Sequence, residues 1–209
     1  RSDAWGGSLE NRARIHLEII KRCRAEVGAD FPISVKLNSA DFQKGGFTAN
    51  ESIQVAKMLE DASVDIIEIS GGSYEQPKQI GADDLSINPD RSEERKESTI
   101  AREAYFLEYA NNIRKAVSLP LMVTGGFRTR DGIERALQSN ICQMVGVGRP
   151  LCADPYCIKK MMEGQLDVLP SFEKTLSLGP SILSPSSPFT LVQVINAFGA
   201  MAWFYQQIK

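Results

Sequence analysis

The sequence predicts an α/β chain that forms half of a (β/α)8 barrel. Three observations predict it. Short apolar strands alternate with amphipathic helices, which implies a parallel sheet. Four strands can be counted, near residues 33, 66, 121 and 143, whereas a closed barrel of about 250 residues needs eight strand–helix units. The last two strands each run into glycine, at Gly125-Gly126 and at Gly148-Arg149. An open doubly wound sheet is the competing fold. It usually carries a glycine fingerprint after its first strand, and PISVKLN (32–38) leads into no G-x-G-x-x-G.

The elements follow in order. Ser8 is a suitable N-cap, with Glu10 in the first turn. Leu9, Ala13, Leu17, Ile20, Cys23 and Val27 recur every three or four residues, so a helix is predicted to about Gly28. Pro32–Asn38 is a short apolar strand with one misfit, Lys36, which either snorkels to the rim or faces a ligand. After the loop DFQKGGF, Thr48 and Glu51 make a capping box that opens a helix through about Ala62, with Ile53, Ala56, Leu59 and Ala62 inward. Val64–Ser70 is the second strand, in which Glu68 shares a face with Ile66 and Ser70.

Ser73–Ser98 shows no clean periodicity and reads as a solvated excursion, dense in charge from Arg91 to Glu97. A helix is predicted over Thr99–Val117, with Ala101, Ala104, Phe106, Leu107, Ala110 and Ile113 inward. Then come a strand, a short helix from Thr129 to Ser139, and the fourth strand. Asp154-Pro155 is expected to start another helix, with proline in the first turn, reaching about Gly164.

From residue 169 the chain changes character. No charged residue lies between Lys174 and Lys209, and Gly179, Pro180, Pro185 and Pro188 keep the first part irregular. Phe189–Tyr205 is expected to pack as a helix on the barrel body, anchored by Trp203, Phe204 and Tyr205. It is shorter than the about 20 residues of a membrane span and contains Gln193, Asn196 and Gly199. The division is therefore 1–168 for the half-barrel and 169–209 for a C-terminal extension.

Composition narrows the function. A net charge of −2 suggests neither a nucleic-acid surface nor a polybasic membrane patch. Cys23, Cys142, Cys152 and Cys157 make no CxxC pair, which suits a reduced, cytoplasmic setting. With one histidine, His16, in a charged helical segment, the chain has little to offer a zinc ion. The opening RSDAWGGS has neither an initiator methionine nor the charged and apolar regions of a signal, so the chain is expected to come from a longer protein. The two glycine ends are either tight turns or an anion site. Glycine-ended strands leave N–H groups open to an anion, the adjacent Arg149 adds donors, and the last two loops of such a barrel commonly bind phosphate.

Several motifs are more specific. RSDAWGGSLENR (1–12), VKLNSADFQKGGF (35–47), VTGGFR (123–128) and VGVGRPLCADP (145–155) together resemble the old yellow enzyme family, the NADH:flavin oxidoreductases, and most closely its NADH-oxidase-like branch. The aromatic tail at Trp203-Phe204 is similar to the family's C-terminal helix. The resemblance implies strands five to eight of a TIM barrel that holds FMN at its C-terminal end. It implies hydride transfer from NAD(P)H through FMN to an activated alkene or similar small-molecule acceptor.

Carried over by position, Lys36 stands where the family sets a basic residue against the flavin N1/C2=O edge, stabilising the anionic reduced ring. The family often has arginine there, and a lysine keeps the charge without the fork. Gly125 and Gly126 match one phosphate turn, Gly148 and Arg149 the other, and Phe127 and Arg128 match positions bordering flavin or phosphate. Gln143 replaces a common aspartate. The family's substrate-binding pair and tyrosine proton donor would precede Arg1. The competing reading is a catalytically incomplete half-barrel that acts as an interaction module, pairing with a missing N-terminal half or with a second copy. A phosphate-binding isomerase on the same barrel is a third reading, with only Glu68 and Lys36 as its acid and base.

Overall fold

The structure, a computed structural model, describes residues 1–41, 45–71, 107–172 and 175–208. Four strands form one sheet, β1 (Ser34–Asn38), β2 (Ile66–Ser70), β3 (Leu121–Thr124) and β4 (Met144–Gly146), in that spatial order. All neighbours are parallel. Consecutive parallel strands require crossovers, and the described crossovers are helical: α2 (Ala49–Asp61), α3 (107–114) and α4 (Arg130–Gln138). Helix α1 (Leu9–Val27) precedes β1 and packs on α2. This is the predicted repeating unit and sheet.

Strand alternation gives the sheet two unlike faces. Ile67, Ile69, Leu121 and Val123 point to the helices and are 0% exposed. Around them pack Leu59 and Ala56 of α2, Ala110 and Ile113 of α3, and Ala136 of α4. Each large side chain so buried contributes about 1.5–3 kcal/mol. The opposite face carries Lys36, Glu68, Met122 and Met144 in one register row, and Met144 is 50% exposed.

The caps form as expected. Ser8 accepts from the Asn11 N–H, and Thr48 and Glu51 complete a reciprocal capping box. The helix stripes are partly corrected. Cys23 and Val27 are exposed, because Arg24 takes the inward position of the last turn. Its guanidinium donates to Phe31 O and Ser63 O, each at 2.7 Å, and pairs with Asp65. In α2 the buried stripe is Ser52, Val55, Ala56 and Leu59. Ser52 replaces Ile53 at the centre because its hydroxyl donates to Asn38 O at 2.8 Å, tying α2 to the end of β1.

Two further elements differ from expectation. A short helix, α5 (Arg149–Ala153), follows β4 where none was predicted, and α6 begins only at Cys157 and ends at Met162. Asp154-Pro155 is the turn between them. Asp154 accepts from the Tyr156 N–H at 3.0 Å and from Lys160 Nζ at 2.7 Å. Five residues are too few to show a helical period, which is why α5 left no pattern.

Helix α7 (Thr190–Gln207) packs against α5. Trp203 lies 5.7 Å from the Phe172 ring and Phe204 is buried, but Tyr205 points outward at 67% exposure, so it is no anchor. Asn196 instead holds the irregular segment: it accepts from Leu178 N at 2.9 Å and donates to Leu183 O at 3.0 Å. Among the described residues, no helix is long and apolar enough to cross a membrane. The expected 73–98 excursion, and Ala101, Ala104 and Phe106 of the next helix, lie outside the described residues.

Candidate functional site

The two glycine turns follow the C-terminal ends of β3 and β4, the end where parallel barrels place their sites. Thr124 and Gly146 are register partners at the ends of β3 and β4. Directly beyond them stand the two glycine turns. Gly125 has φ 134° and Gly126 has φ 80°. Both values lie where L side chains are strained, so this backbone needs glycine. Gly148 caps α5, and Arg149 is its first residue, followed by Pro150 in the first turn. Among the described residues, a Cβ built on Gly148 would meet nothing within 4 Å. Two glycine turns beside a guanidinium are a residue set that suits a phosphate-bearing group.

Lys36 lies on the same open face, two strands away from β3. Its Nζ donates to Glu68 Oε1 at 2.8 Å. The lysine side chain is 52% exposed and that of Glu68 only 17%. Lys36 stands mid-strand in β1, on the sheet face opposite the helices.

Phe127 and Arg128 are placed differently from each other. The Phe127 ring is 1% exposed in the main core among the helices. Its side chain therefore serves packing, and only its backbone remains with the turn. Arg128 donates from Nη1 to Phe127 O at 2.8 Å, and Leu169 N donates to Arg128 O at 2.6 Å, which ties the turn to the end of the barrel segment.

Other motif residues prove structural. Arg1 and Asp3 pair, and Asp3 accepts from Trp5 N. Asn11 donates to Gly6 O at 3.0 Å and Arg14 to Ala4 O at 2.8 Å. The opening motif is thus a loop folded back onto its own helix, and Arg12 links it to Glu51 of the capping box. Lys160 holds the Asp154 carboxyl below the usual carboxylate range. Burial pushes the Cys157 thiol up, which makes it a poor nucleophile. Gln143, which carried no role in the sequence reading, clamps the start of β3: its N–H donates to Leu121 O at 2.9 Å and its Oε1 accepts from Leu121 N at 3.0 Å.

Residues 1–167 match the NADH:flavin oxidoreductase / NADH oxidase family. The chain belongs to this family. It is 35% identical over 185 residues to the NADH-dependent flavin oxidoreductase iliE of Neonectria sp. (strain DH2), covering 87% of this chain and 22% of that protein. It is 36% identical over 165 residues to the NADH oxidase of Thermoanaerobacter brockii, covering 79% and 23%. Among solved structures, a 2-naphthoyl-CoA reductase complex aligns with a TM-score of 0.66 at 34% identity, over 81% of this chain and 24% of that one. The old yellow enzyme homologue of Zymomonas mobilis aligns with a TM-score of 0.56 at 21% identity, over 86% and 44%, a likeness of fold.

The chain therefore spans less than a quarter of the length of the first two relatives. Its four consecutive parallel strands are part of the TIM barrel shared by the old yellow enzyme family.

Sequence reasoning gave two residues on the open face no part in a flavin site. Glu68 appeared as a charge on the face of Ile66 and Ser70 and as the acid of the isomerase reading, not as a partner that holds Lys36. The signal was present: one charge in the middle of each of two consecutive apolar strands, at positions that pair in register. Thr124 carried no signal, because its setting depends on the neighbouring strand.

Proposed function

We propose that this chain is the phosphate-gripping part of an FMN-dependent NAD(P)H oxidoreductase, with its acceptor an activated alkene or similar small molecule. What supports the reading is that the Gly125-Gly126 turn and the Gly148-Arg149 helix start follow the ends of adjacent, register-paired strands, on a sheet whose open face carries Lys36. The names of the relatives, NADH-dependent flavin oxidoreductase and NADH oxidase, support it.

In this reading FMN, when bound, supplies hydride transfer between NAD(P)H and the acceptor. The chain's own residues hold it. The backbone N–H groups of Gly125 and Gly126, with those at Gly148 and Arg149, receive the phosphate. The Arg149 guanidinium adds a charge-assisted contact. Lys36 presents its ammonium toward the ring, and Arg128 keeps the first turn in place.

The test separates phosphate from ring. In the full-length protein, Arg149→Ala should weaken FMN binding at least tenfold while leaving riboflavin affinity unchanged, measured by flavin fluorescence quenching. Equal loss for both flavins, or for neither, would remove Arg149 from the phosphate site. A wild-type protein that takes up no flavin would end the reading altogether.

A further inference from the structure

We propose that Glu68 is a positioning residue for Lys36, holding its ammonium over the open face and setting the charge that it presents to a bound flavin. The proposal rests on the FMN reading above and adds to it a residue that no motif marks.

The geometry is direct. Lys36 and Glu68 are register partners on adjacent parallel strands, and both alternate onto the face away from the helices. Their side chains meet at 2.8 Å between Nζ and Oε1. The row continues through Met122 and Met144, which carry no charge and no strong donor or acceptor. Within that row Glu68 is thus the one acid beside the one base.

The two members are unequal. The lysine is a long, flexible stem, 52% exposed, whereas the Glu68 side chain is only 17% exposed, set between neighbouring strands. A flexible ammonium loses much rotamer freedom when it is held in one place. A carboxylate fixed in the sheet supplies that hold, and it also offsets part of the positive charge. Reduction of a flavin by two electrons and one proton leaves the ring one unit more negative. A nearby ammonium favours that state, and an ammonium paired with a carboxylate favours it less. Glu68 therefore trades driving force for placement.

A plain cross-strand ion pair would contribute to stability and nothing else, so the test reads a potential. Glu68→Gln keeps an oxygen that can accept from Lys36 but removes the charge. In the flavin-loaded full-length protein, its midpoint potential should rise by about 30 mV or more. That shift corresponds to a tenfold change in the ratio of reduced to oxidised flavin for a two-electron couple. Glu68→Asp keeps the charge and should stay within a threefold change of the wild-type ratio. A Glu68→Gln protein with an unchanged or lowered potential overturns the proposal, whatever its melting temperature. If the wild type takes up no FMN, the FMN reading and this proposal fall together. If it takes up FMN and only the potential fails to move, the FMN reading stands and Glu68 is structural.

Discussion

The Thr124 hydroxyl occupies the place where a side chain on residue 146 would begin: a Cβ built on Gly146 would lie 1.9 Å from Thr124 Oγ1. The two residues are register partners at the floor of the glycine turns. Gly146→Ala should therefore push β3 and β4 apart and lower stability by roughly 1–3 kcal/mol, the usual range for overpacking. Thr124→Ala in the same protein should restore part of that loss, since it removes the Oγ1 contact and leaves the Thr124 Cβ at 2.9 Å. Chemical denaturation of the four proteins of this cycle measures the coupling, and additive losses would disprove the contact.

Among the described residues, Thr124 Oγ1 is also buried without a hydrogen-bond partner. Valine has nearly the same shape and lacks the hydroxyl. Because an unpartnered buried hydroxyl costs roughly 1–3 kcal/mol, Thr124→Val should leave the flavin-free protein as stable as the wild type or more so. A thermal melt without added flavin checks it, and a clear loss of stability would show that the hydroxyl has a partner.

Gly125 sits at φ 134°, and a substituted side chain there is strained by about 1–3 kcal/mol. Gly125→Ala should lower both the melting temperature and FMN affinity, since the same backbone shape makes the turn and aims its N–H groups. Riboflavin binding should suffer less than FMN binding. Titration with the two flavins compares them.

The Phe127 ring belongs to the core, so its loss should be global. Phe127→Ala is expected to cost about 3–5 kcal/mol in a denaturant titration. Phe127→Leu, closer in volume, should cost far less and retain FMN binding, because the ring is buried away from the open face.

The capping box sets a pH dependence. The Thr48 backbone N–H and then the Arg12 guanidinium hold the Glu51 carboxyl below its ordinary range. A depressed carboxylate contributes stability that is present above the unfolded value and is lost as pH falls through the folded one. Glu51→Gln should therefore be less stable than the wild type at neutral pH, and the gap should close in acid. Thr48→Ala should cost about 0.5–2 kcal/mol. Denaturant midpoints measured across the acid range check both.

The sequence by itself determined the repeating strand–helix order, the caps and the two glycine turns. Each of these is local. Ser8, Thr48 and Glu51 act within one helical turn, the apolar periods span single elements, and Gly125 and Gly126 answer to their own φ angles. Their motifs were enough to place the chain in its family before any contact was known.

Tertiary structure decided what each side chain meets. Phe127 lies beside a site turn in sequence, yet its ring turns into the core. Arg24 displaces Val27 from the inward face because carbonyls at the starts of the strands lie within its reach. Helix α5 has Pro150 in its first turn and packs against α7, whereas its five residues show no period. The Lys36–Glu68 and Thr124–Gly146 pairs join residues 32 and 22 positions apart, brought together by parallel register. Register is a property of paired strands, and no single strand states it.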